Sequence, residues 1–405
     1  MRFLRTILLV VVAVASRANA QSSPRAEETF KSTRLNEERT ILVAAPVNYG
    51  TSKASYPVLV LLDADDQPQF NAAVANVAFL ASRAAIPEMI VVGIPNGKNR
   101  THDMTPAATG PTAKSFPTAG GASAFADFII DEVLPRVRAK YRTLPSTVLA
   151  GHSFGGLFAL DVAAARPSVF SGIVAMSPSL WWNDSIPARD FATAIARSTT
   201  TTRLFTASGG LEPPIAVTTK RFVARLDSIK PATLAFASQH YPENTHGLMP
   251  EQSLIDGLRF VYAPVSLTRA PIQQLDLNSD SATIVKAVTE TEEKYARAAR
   301  SLGLPDRLPE TPLNDLGYGT LRFRKLPNVA LWIFRKNVAS HPDSPNVYDS
   351  LGDALLAIGD TTGARTQFRT AREVATRIGQ PVAEETQKKL DALEHATVQA
   401  GKPKP

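Results

Sequence analysis

Short apolar runs separated by amphipathic stretches recur between residues 39 and 262. The runs are rich in Val, Ile and Leu with little alternation, which is typical of strands buried on both faces of a sheet. They cover residues 39–45, 57–63, 89–94, 147–151, 172–177, 203–208 and 233–238. Helical patterns lie between them, most clearly over 125–141 and after Gly156. This alternation predicts an α/β fold with a mostly parallel sheet and helices on both faces.

The pattern becomes wholly helical after residue 262. A linker leads to a predicted helix over 281–303, for which Asp280 or Ser281 is the N-cap. Further on, small and aromatic residues recur at a spacing of 34–35, which is the tetratricopeptide period. The matching pairs are Gly317 with Gly352, Ala330 with Ala364, and Phe334 with Phe368. Two repeats are fewer than the three usually needed, so we expect them to pack on the rest of the chain, on a partner protein or on a second copy.

The first twenty residues have the pattern of a secretory signal peptide. Arg2 and Arg5 precede an apolar run over 7–15, and Ala18-Asn19-Ala20 forms a small-residue cleavage site. The run is too short to span a bilayer, although an uncleaved N-terminal anchor is the alternative. We therefore predict a secreted or periplasmic protein without stable membrane insertion after cleavage. The predicted organisation is leader 1–20, α/β domain 21–265, linker and helix 266–309, helical repeats 310–400 and a disordered tail 401–405.

Composition excludes several classes of protein. The 405 residues include no cysteine, which rules out disulfides and thiolate metal sites. The formal charge is +7, and Arg2, Arg5 and Arg17 of the leader account for three of these charges, so the mature chain carries +4. No cluster of Lys and Arg indicates a nucleic-acid surface.

The segment TVLAGHSFGG, residues 147–156, places one serine between glycines where a strand gives way to a helix. The pattern Gly151-x-Ser153-x-Gly155 is that of a nucleophile elbow, a strained turn whose flanking positions have no room for a Cβ atom. Such a turn presents the serine hydroxyl above the sheet. We therefore predict that Ser153 is a nucleophile.

A serine hydroxyl needs a base, and a base needs an orienting acid. His246 follows the last predicted strand, where this topology places the base, whereas His102 and His240 read as polar loop residues. Glu212 follows the strand over 203–208 and is the predicted acid. The rival carboxylates are Asp184 and Asp227, whereas Glu243 is too near the histidine in sequence to orient it easily.

The oxyanion of an acyl-transfer intermediate needs two backbone N–H donors. Phe154, which directly follows the serine, supplies the first. Ala64, in the turn after the strand over 57–63, is the predicted second donor.

Several segments resemble the esterase branch of the α/β-hydrolases, which includes enterobactin, salmochelin and bacillibactin esterases, feruloyl esterases and S-formylglutathione hydrolase. The segments are SYPVLVLLDADDQPQF, VVGIPNGKNRTHDMTP, GHSFGGLFAL, MSPSLWW and ENTHG. The resemblance implies the α/β-hydrolase fold, with Ser153 as nucleophile, His246 as base and Glu212 at the place of the acid, although some members work with a Ser–His dyad. Many members have glycine where this chain has Ala64. Arg100, Trp181 and Trp182 would contact the substrate.

We therefore expect a secreted serine hydrolase that cleaves carboxylic esters through an acyl-enzyme, with a small-molecule ester such as a siderophore as substrate. A feruloyl or acetyl carbohydrate ester is the alternative substrate. A non-catalytic binding protein that acts through its helical repeats is the alternative class. No metal or organic cofactor is implied by this chemistry.

Overall fold

A computed structural model describes residues 23–199 and 201–400, and its centre is an eight-stranded sheet. The strands are β1 (Arg25–Ser32), β2 (Glu37–Ala44), β3 (Tyr56–Leu62), β4 (Ile90–Ile94), β5 (Thr143–His152), β6 (Gly172–Met176), β7 (Thr202–Gly209) and β8 (Leu234–Tyr241). Their order across the sheet is β1-β2-β4-β3-β5-β6-β7-β8. All seven predicted strands are present, which confirms the predicted sheet.

From β4 across to β8 every neighbouring pair is parallel, whereas β1 and β2 are antiparallel additions at one edge. Leu59 of β3 pairs with Val91 on one side and Val148 on the other. β1 was not predicted, because its sequence RAEETFKS is half charged and lies at the sheet edge, where only β2 covers it. The parallel core brings the carboxyl ends of six strands to one side of the molecule.

Helices cover both faces of the sheet, as the sequence predicts. They are α1 (Gln67–Ser82), α2 (Arg100–Met104), α3 (Gly110–Ser115), α4 (Ala122–Asp127), α5 (Leu134–Lys140), α6 (Phe154–Ala165), α7 (Ile186–Arg197), α8 (Pro213–Ile229), α9 (Met249–Val261), α10 (Ser281–Ser301), α11 (Glu310–Arg322), α12 (Pro327–Ser340), α13 (Pro345–Ala357), α14 (Thr361–Arg377) and α15 (Glu384–Ala400). Between α4 and α5 the chain continues as a π-helical turn over Phe128–Val133. Pro135, which has no N–H to donate, follows this turn in the first turn of α5.

The buried apolar residues form one cluster on each face of the sheet and a third among the C-terminal helices. Every residue of β3, β4 and β6 is buried, which explains their continuous apolar runs. One cluster continues beyond the sheet and α9 into the C-terminal helices, where Ile284 of α10 and Leu313 of α11 belong to it. The core therefore crosses residue 265, and the domain limits stay a prediction.

The first C-terminal helix begins as the sequence predicts. The Asp280 carboxylate accepts a hydrogen bond of 2.7 Å from the Thr283 N–H, so Asp280 is the N-cap of α10. Among the described residues no helix is apolar over a length that could cross a bilayer. The predicted leader and the predicted tail both lie outside the described residues.

The repeated glycine and phenylalanine positions contact each other in pairs. A Cβ atom placed on Gly317 would lie 2.5 Å from the Phe334 ring, and one on Gly352 would lie 2.4 Å from the Phe368 ring. Each glycine thus permits the close approach of α11 to α12 and of α13 to α14. This contact is the physical reason for the repeat in the sequence.

We predict that Gly317→Ala lowers the free energy of unfolding by about 1–3 kcal/mol, because the methyl group must displace a buried ring. Gly319→Ala in the same helix is the matched control, since its Cβ would meet only the end of the Arg324 side chain at 3.5 Å. That substitution should stabilise by about 0.5–1 kcal/mol through helix propensity. Urea unfolding of both variants tests the packing, and equal effects would refute it.

Candidate active site

The turn between β5 and α6 holds Ser153 in a conformation that residues with a Cβ atom rarely adopt. Its φ is 60° and its ψ is −115°. A Cβ on Gly151 would lie 2.3 Å from the carbonyl oxygen of Gly155, so only glycine fits there. The Ser153 N–H donates to the Met176 carbonyl at 3.0 Å, which ties the turn to the end of β6. The serine side chain is half-buried at the carboxyl edge of the sheet.

His246 and Glu212 meet beside this turn. Glu212 lies just beyond β7, and His246 begins a short 3₁₀ turn after β8. Nδ1 of His246 lies 2.5 Å from Oε2 of Glu212. The rival carboxylate Asp184 is exposed on a separate turn, and Asp227 is exposed on α8. Of the candidate carboxylates, Glu212 is therefore the one that hydrogen-bonds His246.

The Glu212 carboxylate is almost completely buried but well supplied with donors. Its Oε1 accepts hydrogen bonds from the Ser177 hydroxyl and the Gly209 N–H, each 2.5 Å long. Burial disfavours the charged form, but the hydrogen bonds from His246, Gly209 and Ser177 outweigh it, so the pKa of Glu212 lies below its usual value. The carboxylate is thus charged at neutral pH, as an orienting acid must be.

A second histidine packs against His246. The ring of His152, the residue before Ser153, lies with its centroid 4.3 Å from that of His246. Burial, and secondarily the proximity of His246, lower the pKa of His152 to about 4. His152 is therefore neutral at neutral pH, and its ring packs His246 against the residue that precedes Ser153.

The Ser153 hydroxyl has a different partner in this structure. Its Oγ lies 3.4 Å from the hydroxyl oxygen of Ser179, which is buried. Among the described residues no hydrogen bond joins Ser153 to His246. Since Nδ1 of His246 is engaged by Glu212, Nε2 is the nitrogen available to a rotated Ser153 side chain.

The structure leaves one predicted oxyanion donor available and contradicts the other. Phe154 is the first residue of α6, where an N–H has no carbonyl one turn earlier to bind. Ala64, in contrast, is fully buried, and its N–H donates to the Ile94 carbonyl at 3.2 Å. The prediction for Ala64 is therefore wrong, because its donor is already used. The following residue, Asp65, is exposed, and its N–H has no partner among the described residues.

The guanidinium group of Arg100 forms hydrogen bonds with a side chain and a backbone carbonyl of the protein. Its Nε and Nη2 bind the two carboxylate oxygens of Asp63 at 2.5 and 2.8 Å. Nη2 also donates to the carbonyl of His152 at 3.2 Å, directly before the elbow. Arg100 therefore braces the ends of β3 and β5. Its guanidinium carbon lies 5.7 Å from the centre of the Phe154 ring and remains partly exposed.

Four aromatic residues form a cluster next to Ser153: Phe116, Phe154, Trp181 and Trp182. Their ring centroids lie between 5.2 and 6.0 Å apart. Trp182 is fully buried beneath the others, so the prediction that it contacts substrate is wrong. Trp181 is partly exposed, as are Phe116 and Phe154.

The loop over 101–124, predicted from its composition, contains α2 and α3 and carries Phe116 into this cluster. Asn183 fixes the loop by accepting from the Thr109 N–H at 2.9 Å and donating to the Ala107 carbonyl at 2.7 Å. At the loop base, the buried Asp103 carboxylate forms an ion pair with Arg39. These contacts hold the aromatic side of the site in place.

Sequence reasoning missed the roles of Ser177, Ser179, Asp63 and Phe116. The segment MSPSLWW did single out the first two, but nothing in it shows which hydroxyl contacts which neighbour. Within the described part of the chain, no group of three or more His, Asp or Glu side chains could hold a metal ion. The groups that this edge of the sheet brings together are a hydroxyl, an imidazole and a carboxylate.

We predict that acidification destabilises the protein through His152. Its folded pKa of about 4 lies below the value of about 6.5 in an unfolded chain, so the unfolded state binds a proton first as the pH falls. Stability from this group is present above pH 6.5 and is lost towards pH 4, by about 3 kcal/mol. His152→Gln should reduce the acid loss by this amount, and His395→Gln, at an exposed position, should not. Equal pH profiles for wild type and His152→Gln would contradict the assignment.

Comparison with known proteins gives relatives that share part of the chain. The siderophore triacetylfusarinine C esterase of Aspergillus fumigatus is 30% identical over 183 residues, which are 40% of this chain and 58% of the relative. The ferri-bacillibactin esterase BesA of Bacillus subtilis is 32% identical over 182 residues, 41% of this chain and 62% of the relative. The chain thus spans about three-fifths of the length of these curated relatives.

A solved structure extends the similarity over more of the fold. The crystal structure of an IroE-like serine hydrolase from Shewanella oneidensis superimposes with a TM-score of 0.64 at 25% identity, covering 78% of this chain and 99% of the other. The model of the family described as "Putative esterase" matches residues 32–241, which is half of the chain. This match contains the elbow and Glu212, and the chain belongs to that esterase family within the α/β-hydrolase superfamily.

Proposed function

We propose that this protein hydrolyses carboxylic esters, with Ser153 as nucleophile, His246 as general base and Glu212 as the orienting acid. The observation that carries the proposal is the 2.5 Å contact between Glu212 and His246 beside the strained turn at Ser153. A buried, charged carboxylate on Nδ1 fixes the tautomer that accepts a proton at Nε2. The esterase family and the named activities of its relatives support the same chemistry.

The reaction begins when the Ser153 side chain turns from Ser179 towards His246. Oγ then attacks the ester carbonyl carbon while Nε2 takes the hydroxyl proton. The oxyanion accepts hydrogen bonds from the N–H of Phe154 and, we propose, that of Asp65 in place of Ala64. The imidazolium returns its proton to the leaving alcohol, and an acyl-enzyme remains. Water, deprotonated by His246, attacks this ester, the bond from the acyl carbon to Ser153 Oγ breaks, and the imidazolium returns its proton to Oγ as the acid leaves.

We propose a siderophore-type ester with an aromatic acyl group as substrate. Phe116, Phe154 and Trp181 offer ring surface beside the hydroxyl of Ser153. Flat acyl groups stack favourably on such surfaces. One relative is named as a siderophore esterase and another as a ferri-bacillibactin esterase. Feruloyl esters share the aromatic acyl group, and they are the second candidate.

We also propose that the protein acts outside the cytoplasm. The support is the leader pattern of residues 1–20 together with a chain that contains no cysteine to oxidise. Docking through the helical repeats stays a prediction of the sequence.

We expect Ser153→Ala to lower the turnover of a p-nitrophenyl ester by at least about 10³-fold, because no other group replaces the nucleophile. The variant should fold normally, since alanine removes only a half-buried hydroxyl. Circular dichroism and thermal unfolding serve as the folding control. Turnover close to that of wild type would exclude Ser153 as nucleophile.

The substrate proposal predicts a ranking in a side-by-side assay. A catechol trilactone siderophore should have a kcat/KM at least about ten-fold above that of p-nitrophenyl acetate, with methyl ferulate between them. Phe116→Ala should reduce turnover of the siderophore about 5- to 15-fold and leave acetate turnover nearly unchanged. Phe79→Ala, at an exposed ring on α1, is the control. A preference for acetate in wild type would overturn this substrate class.

A further inference from the structure

The segment Ser177-Pro178-Ser179 follows β6 and runs between the two sides of the proposed triad. Ser177 is fully buried, and its φ of 43° lies in the left-handed region. A residue with a Cβ atom pays a steric penalty there that glycine would avoid. The backbone is nevertheless held in place, because the Ser177 N–H donates to the Ala207 carbonyl of β7 at 3.0 Å. The hydroxyl of Ser177 is therefore held at a fixed point next to the end of β7.

At this position the Ser177 hydroxyl contacts Oε1, the inner oxygen of the Glu212 carboxylate. Ser177 Oγ and the Gly209 N–H both donate to Oε1, which leaves Oε2 for His246. The two donors together fix the rotation of the carboxylate about its last bond. Without the Ser177 hydroxyl, only the Gly209 N–H would orient the Glu212 carboxylate, which in turn orients His246.

The other end of the segment contacts the nucleophile. The Ser179 N–H donates to the Ser153 carbonyl at 3.1 Å, and the two hydroxyl oxygens lie 3.4 Å apart. One tripeptide thus contacts Glu212 through its first residue and Ser153 through its last. The spacing between the acid and the nucleophile is set by a rigid, buried connection.

We propose that Ser177 is a positioning residue for the ester hydrolysis described above, acting on His246 through Glu212, and that Ser179 holds the Ser153 hydroxyl in the resting enzyme. This inference rests on the proposed function. In it, Ser177 keeps Oε2 pointed at Nδ1 while the imidazole gains and returns a proton. Ser179 releases Ser153 when the substrate draws its hydroxyl towards Nε2.

The test is the pH profile of kcat/KM for a p-nitrophenyl ester in variants that lack the Ser177 hydroxyl. Ser177→Ala should lower kcat/KM about ten- to hundred-fold, since a hydrogen bond to a charged group is lost. It should also move the acidic limb to higher pH. The Glu212 carboxylate then has one hydrogen-bond donor fewer, so its negative charge is less stabilised. The Glu212–His246 pair therefore binds a proton more strongly.

Ser177→Gly separates this role from a structural one. Glycine also lacks the hydroxyl, but it adopts the left-handed backbone without strain. The proposal requires both variants to lose activity alike and to shift the acidic limb alike. If Ser177 only shapes the backbone, activity follows the melting temperature of each variant and the limb stays in place, which would overturn the proposal.

Two other serines complete the experiment. Ser179→Ala should raise kcat/KM about three-fold with the acidic limb unmoved, because the resting contact that the Ser153 hydroxyl must leave is gone and no contact to the acid is changed. Ser253 of α9 is the matched control, since it is buried and its hydroxyl has no partner among the described residues. Ser253→Ala should keep wild-type activity and pH profile.

Reference variants distinguish failure of the inference from failure of the proposed function. A wild type without turnover, or an active Ser153→Ala, overturns the proposed function and this inference with it. If Ser153→Ala is inactive while Ser177→Ala and Ser177→Gly behave as wild type, only the inference fails. A Glu212→Gln variant with full activity would indicate a Ser–His dyad, and Ser177 would then have no group to act through.

Discussion

The left-handed turn at Ser153 is the constraint on which the rest of the site depends. A strand that ends and a helix that begins within one residue cannot leave room for side chains around the turn, and Gly151 removes the one that would meet the Gly155 carbonyl. The turn is also tied to its neighbours, through the Met176 carbonyl, the Ser179 N–H and the guanidinium of Arg100 on the His152 carbonyl. Strain of this kind persists only where surrounding contacts hold it.

Parallel strands then bring the remaining groups to the same edge. The segment with Ser177 and Ser179 follows β6, Glu212 follows β7 and His246 follows β8. Adjacent strands therefore supply adjacent groups of the site: Ser177 contacts Glu212, and Glu212 contacts His246. The opposite side of Ser153 is supplied by Phe116, which the loop before α4 brings onto the ring of Phe154. The result is a polar side that can transfer a proton and an aromatic side that can receive an acyl group.

The sequence was sufficient for those features that topology alone determines. A strand, a turn and a helix around Ser153 predict an exposed hydroxyl, and chain order then selects Glu212 and His246 from among many carboxylates and imidazoles. The sequence was not sufficient to identify the second oxyanion donor, because this depends on which backbone N–H groups already donate a hydrogen bond within the fold. Asp63 adopts a φ of 58°, and this turn directs the Ala64 N–H to Ile94, which no residue pattern reveals. Trp181 and Trp182 are adjacent in sequence, yet one is partly exposed and the other lies beneath the rings. β1 escaped prediction because an edge strand needs little apolar surface.

If His246 activates the Ser153 hydroxyl, Ser153 should react covalently with an electrophile that labels activated serines. The wild-type protein should be treated with a fluorophosphonate at neutral pH, digested, and mapped by mass spectrometry. We expect one adduct, on Ser153, that is lost in His246→Ala although Ser153 is still present. Absence of labelling in wild type, labelling at another serine, or undiminished labelling without His246 would contradict it.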